Sequence, residues 1–195
     1  MMALKRHSRF SLLRIAGAVT IVTGFTSVSS QAASLGFLGG LGIFAQSNKT
    51  GGLSGESPGA IKISLDMPTN KYLGLGVEYM RSVGLNPVSS GIGVAHVLLR
   101  WYPFFPMPAS GSDAVNEAAS YSNSGLAFWI APAVGIAQGS TTDQSNIGLS
   151  VSPTAGVDWS WGSRFFVRSE GAFTMSVGKG QIMAITFLLG GAYKF

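Results

Sequence analysis

Few side chains in this sequence can carry chemistry. There is no cysteine, and the two histidines are His7 and His96. Disulfides, thiolates and the common zinc ligand sets are therefore out of reach. The ionisable residues that remain fall into a pattern. Lys62, Asp66, Glu78, Arg100, Asp158, Arg168 and Glu170 each lie in a segment where apolar residues alternate with polar or small ones. Each sits on the polar side of that alternation. Charges placed this way meet across the inside of a closed sheet, either as ion pairs or as the lining of an ion or proton path. Three basic and four acidic groups nearly cancel, and a narrow barrel is just wide enough for side chains to fill it. The pattern predicts paired charges and a plugged interior.

Turn geometry predicts the partners. A symmetric turn at 68–70 sets Lys62 opposite Gly76 and diagonal to Glu78, within reach of long side chains. A turn at 161–163 sets Asp158 opposite Phe166 and diagonal to Arg168, with Glu170 next on the same face. Arg100 and Asp66 point inward near one end. His96 is a candidate general base, but a base without a positioned nucleophile performs no covalent catalysis. It is expected to be a hydrogen-bonded wall residue, and no catalytic residue is assigned. "GLGIFA", with Gly40, Gly42 and Ala45, satisfies the loose dinucleotide pattern but lies inside a strand instead of opening a helix. Glycine there saves space in a narrow lumen, as at Gly74 and Gly76. Asn48-Lys49-Thr50 is a formal glycosylation triplet read as chance. No metal and no cofactor are expected.

The elements that position these residues are strands. Eight candidates alternate and are bounded by turn signals, at about 35–47, 59–67, 71–81, 91–102, 125–138, 146–160, 164–174 and 181–195. In "AIKISLDM", Ile61, Ile63, Leu65 and Met67 share one face, with Lys62, Ser64 and Asp66 on the other. In "KYLGLGVEYM", Leu73, Leu75, Val77 and Tyr79 oppose Gly74, Gly76 and Glu78. An even strand count puts both termini at one end, where an aromatic girdle should form. Tyr72, Trp101, Tyr102, Trp159, Trp161, Phe165, Tyr193 and Phe195 all fall at that rim. The connection 103–123 is long for that end, and its prolines at 103, 106 and 108 exclude a central strand.

Composition agrees with a membrane barrel. Charged residues make up 11% of the chain, against a usual ~25%, and mean hydropathy is +0.34. Such a chain cannot cover a water-facing surface with charge, yet it has no apolar run of roughly 18 residues for a spanning helix. A closed barrel is the other structure that satisfies every backbone group in lipid. Residues 1–32 read as a cleaved signal peptide: Lys5, Arg6, Arg9 and Arg14 precede the apolar run Ile15 to Phe25, and Ser30-Gln31-Ala32 supplies small residues for cleavage. Residues 33–195 form the barrel domain. They carry nine basic and eight acidic groups. No basic patch remains, so nucleic acid is not an expected partner.

The ending "FLLGGAYKF" gives the most specific likeness. Phe195 is last, Tyr193 stands two before it, and Gly191, Leu189 and Phe187 precede at alternate positions. With the signal, the size and the strand pattern, the chain resembles the small outer-membrane barrels, the group that includes the OmpA membrane domain, OmpX and OmpW. The resemblance implies an all-β, eight-stranded antiparallel transmembrane barrel in the bacterial outer membrane. It also implies recognition of the last strand by the outer-membrane assembly machinery, although Gly191 departs from the preferred large apolar residue. The expected function is a structural or interaction role for a monomer embedded in outer-membrane lipids, with a mostly filled lumen and no enzyme activity. The alternatives are a narrow channel for small solutes and a lipid A-modifying enzyme centred on His96. The deacylase pattern, which places a serine two residues after the histidine, fails here, because Val97 and Leu98 follow His96.

Overall fold

The structure is a computed structural model that describes residues 33–47, 53–56, 59–70, 72–84, 91–104, 125–140, 145–161, 164–178 and 181–195. The segment 1–32, the Asn48–Thr50 triplet and most of the 103–123 connection lie outside the described residues. No described helix is long and apolar enough to cross a membrane.

The strands are β1 (Ser34–Ser47), β2 (Leu53–Glu56), β3 (Gly59–Asn70), β4 (Leu73–Val83), β5 (Ile92–Trp101), β6 (Leu126–Ser140), β7 (Ser145–Trp161), β8 (Phe165–Gly178) and β9 (Ile182–Lys194). Sequence neighbours pair antiparallel, and β9 returns to β1, so the sheet has no open edge in the barrel wall. β2 is not a ninth wall strand. Its register on β1 (Phe44 with Glu56) is continuous with that of β3 (Leu41 with Gly59), so the two segments share one strand position in an eight-stranded barrel.

The stagger can be read from one row of paired residues. Starting at Leu35, the row passes through Leu65, Val77, Val97, Val134, Val151, Met175 and Met183 and returns to β1 at Ala45. The row comes back ten residues further along the strand. For eight strands about 4.8 Å apart, with a rise of about 3.3 Å per residue, that stagger tilts the strands by roughly 40°. Every residue of the row is apolar because every one faces outward.

Alternation decides which side each residue takes. On β4 the inner residues are Gly74, Gly76, Glu78, Met80 and Ser82, and the outer ones are Leu73, Leu75, Val77, Tyr79 and Arg81. The same period puts Leu41, Val134, Leu149, Phe187 and Leu189 outside with 60–74% of their surface exposed. A surface of this kind is stable against lipid, not water. Aromatic residues gather at the end of the barrel that carries Ala33 and Phe195. Tyr72, Trp101, Trp159, Trp161, Phe165, Tyr193 and Phe195 are all exposed there, and the Trp159 and Trp161 rings stack at 6.3 Å. Tyr102 does not join them: it is buried in the lumen. The amide of Phe195 donates to the carbonyl of Ala33 at 3.1 Å, which ties the two ends of the barrel domain together.

The structure corrects two registers and several strand limits. β3 runs through Pro68 to Asn70 with an irregularity between them, so the turn is not symmetric about 68–70. Lys62 therefore pairs with Met80, not Gly76, and remains diagonal to Glu78, which pairs with Ser64. β7 likewise extends to Trp161, and Asp158 lies directly opposite Arg168, not Phe166. β8 continues to Gly178 beyond the expected limit of 174.

Val134 stands on the outer wall near the middle of β6, 60% exposed. Val134→Arg should lower folding stability in bilayers by roughly 2–4 kcal/mol, the cost of an arginine near the midplane, while Val134→Leu changes it little. Urea unfolding in phosphatidylcholine vesicles measures the difference. Equal stability of the two variants would place this face away from lipid.

Candidate functional site

The alternation that turns Lys62, Glu78, Arg100, Asp158, Arg168 and Glu170 inward also buries them, each with at most 6% of its surface exposed. Their centre is Asp158 on β7. Its Oδ1 accepts from Arg168 Nε at 2.7 Å and from Trp129 Nε1 at 3.0 Å, and its Oδ2 from Arg168 Nη2 at 2.9 Å and from Tyr102 Oη at 3.1 Å. The ring of Trp129, fully buried, takes the Arg100 guanidinium over its face at 4.5 Å and that of Arg168 at 5.4 Å. Gly156 makes this possible, since a Cβ there would stand 2.7 Å from Trp129 Cε2. Arg168 also donates Nη1 to Asp66 Oδ2 at 2.6 Å, and Asp66 Oδ1 accepts from Arg100. Asp66 thus joins β3, β5 and β8 across the lumen.

A second group lies further from the Ala33 and Phe195 end. Lys62 Nζ bridges Glu78 at 2.6 Å and Glu170. Glu78 Oε1 lies 3.3 Å from His96 Nδ1, and His96 Nε2 lies 2.9 Å from Ser150 Oγ. Elsewhere in the lumen, Ser152 and Thr174 share a hydrogen bond of 2.9 Å. Toward the loop end the lumen turns largely apolar. Phe44, Met80, Ile92, Val94, Ala137 and Ile182 belong to one buried cluster that fills it there. Among the described residues no group of three His, Cys, Asp or Glu side chains could hold a metal ion.

This arrangement can do two things chemically. It holds the strands by charge-assisted bonds that cross the lumen, and it fills the interior with polar and charged side chains. The charged residues named from sequence fall into two adjacent networks: Lys62 meets Glu78 and Asp158 meets Arg168 as expected, while Asp66 with Arg168 and Lys62 with Glu170 are partners that local pattern does not assign. Trp129, an early residue of its strand, is the stacking platform for two arginines. Its pairing neighbour Gly156, two residues before Asp158, was the available signal. Ser150 was missed because it lies on β7, 54 residues from His96, and nothing local links the two. The rim residues Trp101, Trp159 and Trp161, the outer face of β9 with Phe187, Leu189 and Tyr193, and Phe195 just after it take no part in the lumen.

A closed eight-stranded barrel with an apolar exterior, an aromatic rim and an ionic interior defines a class: the small outer-membrane β-barrels have this fold. The chain resembles Neisserial surface protein A, with 10% identity over 84% of this chain and 97% of that one and a TM-score of 0.61. Two Pseudomonas aeruginosa structures also align: the outer membrane protein OprG (12% identity, 85% and 97% covered, TM-score 0.49) and the N-terminal β-barrel domain of OprF (14%, 83% and 97%, 0.47). No protein-family model and no curated protein matches the sequence. At these identities, the likeness to the Neisserial protein shows a shared fold.

Removing one member of a desolvated pair leaves its partner uncompensated, at a cost of roughly 3–5 kcal/mol for a fully buried ion. Arg168→Ala should therefore destabilise the folded barrel more than Arg168→Ala combined with Asp158→Ala. A double-mutant cycle read by urea unfolding in detergent tests the coupling. Strict additivity would mean that Asp158 and Arg168 do not interact.

Proposed function

We propose that the protein is an integral barrel of the bacterial outer membrane with a structural or interaction role, and that its lumen does not conduct. The observation carrying this reading is the arrangement of two barriers in series. A fixed ionic layer around Asp158 and Arg168 is followed by the apolar cluster around Phe44, Met80 and Ile182. An ion that passed the first would still lose its hydration in the second. In this reading, residues 1–32 are the export signal, the end with the termini faces the periplasm, and the barrel works as a monomer surrounded by outer-membrane lipids. The outer face of β9, from Phe187 to Phe195, would be what the outer-membrane assembly machinery recognises. Reconstitution of the refolded protein into planar bilayers tests the closed lumen. The expected record has no steady unitary conductance, and reproducible steps would favour the channel.

One observation favours a second reading. Ser150, His96 and Glu78 form a hydroxyl–imidazole–carboxylate line, the geometry by which a base activates a serine nucleophile. All three are buried, and Glu78 is shared with Lys62, so the line serves better as a strand-to-strand tie. A fluorophosphonate probe discriminates between the two. A tie leaves the folded protein unlabelled, whereas labelling at Ser150 that is lost in His96→Ala would make the barrel a hydrolase.

A further inference from the structure

Among the described side chains, the outer wall has one charged group where hydrocarbon is the rule. Among the residues whose side chains are described, Arg81 is the only ionisable group with a formal charge at neutral pH that a barrel strand turns outward and leaves exposed. It stands two residues from the loop end of β4 and pairs with Ile61 on one side and Gly93 on the other. It enters no salt bridge with a described residue, in contrast to the paired lumenal charges. An arginine on this wall is tolerable only near the interface, where its guanidinium can reach headgroups.

The neighbouring strand is shaped to receive it. The β5 side offers two glycines on the outer face, Gly91 and Gly93. The guanidinium of Arg81 lies against the first: a Cβ at Gly91 would stand 3.3 Å from Nη2 and 3.4 Å from Nε. The hydroxyl of Tyr79 lies against the second, 3.1 Å from where a Cβ of Gly93 would be. Two outward positions on one strand are about 7 Å apart. One phosphate group, accepting from the guanidinium on one oxygen and from the hydroxyl on another with bonds of about 2.8 Å, spans such a gap. We infer that Arg81 and Tyr79, laid across Gly91 and Gly93, form a binding site for the phosphate of an anionic lipid in the leaflet at the loop end. The inference rests on the membrane reading of the barrel. The occupant is a lipid and not a soluble anion because the flanking wall, with Ile61 and Ile136 more than half exposed, offers hydrocarbon contact beside the cation.

The test begins with protein folded in phosphatidylcholine nanodiscs, with folding scored by heat-modifiable migration. Failure to fold there would sink the membrane reading itself, and with it the site; the lipid measurements then judge the site alone. Phosphatidic acid is titrated into the discs, and bound lipid is counted by native mass spectrometry after release. Wild type should retain phosphatidic acid about tenfold more than Arg81→Gln. Gly91→Val, which keeps the arginine but lifts it from the wall, should lose most of the same retention. Arg164→Gln, at the opposite end, should retain the lipid like wild type. Thermal unfolding should change sign between lipids: Arg81→Gln at least as stable as wild type in phosphatidylcholine, and less stable once phosphatidic acid is present. Equal retention by wild type and Arg81→Gln would overturn the site. Displacement of the lipid by millimolar inorganic phosphate would make it a soluble-anion site and overturn the lipid assignment.

Discussion

A carboxylate inside a closed sheet has no water shell to fall back on, and each of its lone pairs must find a donor within reach of the wall. Asp158 finds four: two from one guanidinium, one from an indole and one from a phenol. Burying that charge without them would cost several kcal/mol. The donors come from β6, from β8 and from the segment just after β5, so the bonds form only when these strands stand in one register. A slip of one residue on β8 would turn Arg168 to lipid and Val167 to Asp158, with both errors occurring together. The ionic layer thus ties its stabilisation to one register among the staggered alternatives.

The exterior imposes the complementary constraint. Because β1 and β9 must meet, the stagger has to close on a whole number of residues and preserve the in–out parity of every strand. The outward row from Leu35 to Ala45 meets this condition with apolar residues throughout. Its ten-residue return sets the tilt that lets Asp66 on β3 reach Arg168 on β8, 102 positions away in the chain. Wall and lumen are therefore two consequences of the same stagger. The outside requires that alternate residues be apolar, and the inside requires that particular ones be charged.

That division explains what was legible in sequence. Strand existence and facing follow from period two, which is local, so Ile61, Ile63 and Leu65 separate cleanly from Lys62, Ser64 and Asp66. Register is not local. Pro68 to Asn70 looks like a turn by residue type, yet the strand continues through it, and the partner of Lys62 moves from Gly76 to Met80. The bidentate contact of Asp158 with Arg168 was expected as a diagonal for the same reason. Contacts across the lumen, such as Asp66 with Arg168 or His96 with Ser150, depend on tilt and diameter, which no short stretch encodes. β6 was the least legible strand. Its inner residues are largely alanine, so in "AFWIAPAVGIA" both faces read as apolar, and the inward turn of Trp129 shows only through its pairing neighbour Gly156 on β7.

The lumen is also divided along its length, and the order has a physical consequence. Ion pairs occupy the half near Ala33 and Phe195, and hydrocarbon occupies most of the opposite half. A barrier made of fixed ion pairs stops ions by filling space and by holding its own charges neutral, so it fails when a side chain is shortened and water enters. A barrier made of Phe44, Met80, Ile92 and Ile182 stops them by excluding water, and it fails when a polar group is introduced. Because the two mechanisms differ and lie in series, one substitution disables at most one of them. Loss of Arg168 lets water in from one end and leaves the apolar cluster dry, while a serine in that cluster still faces the intact ionic layer below it. In the proposed closed-lumen reading, closure is therefore robust to single changes even though folding, which needs the Asp158 donors together, is not.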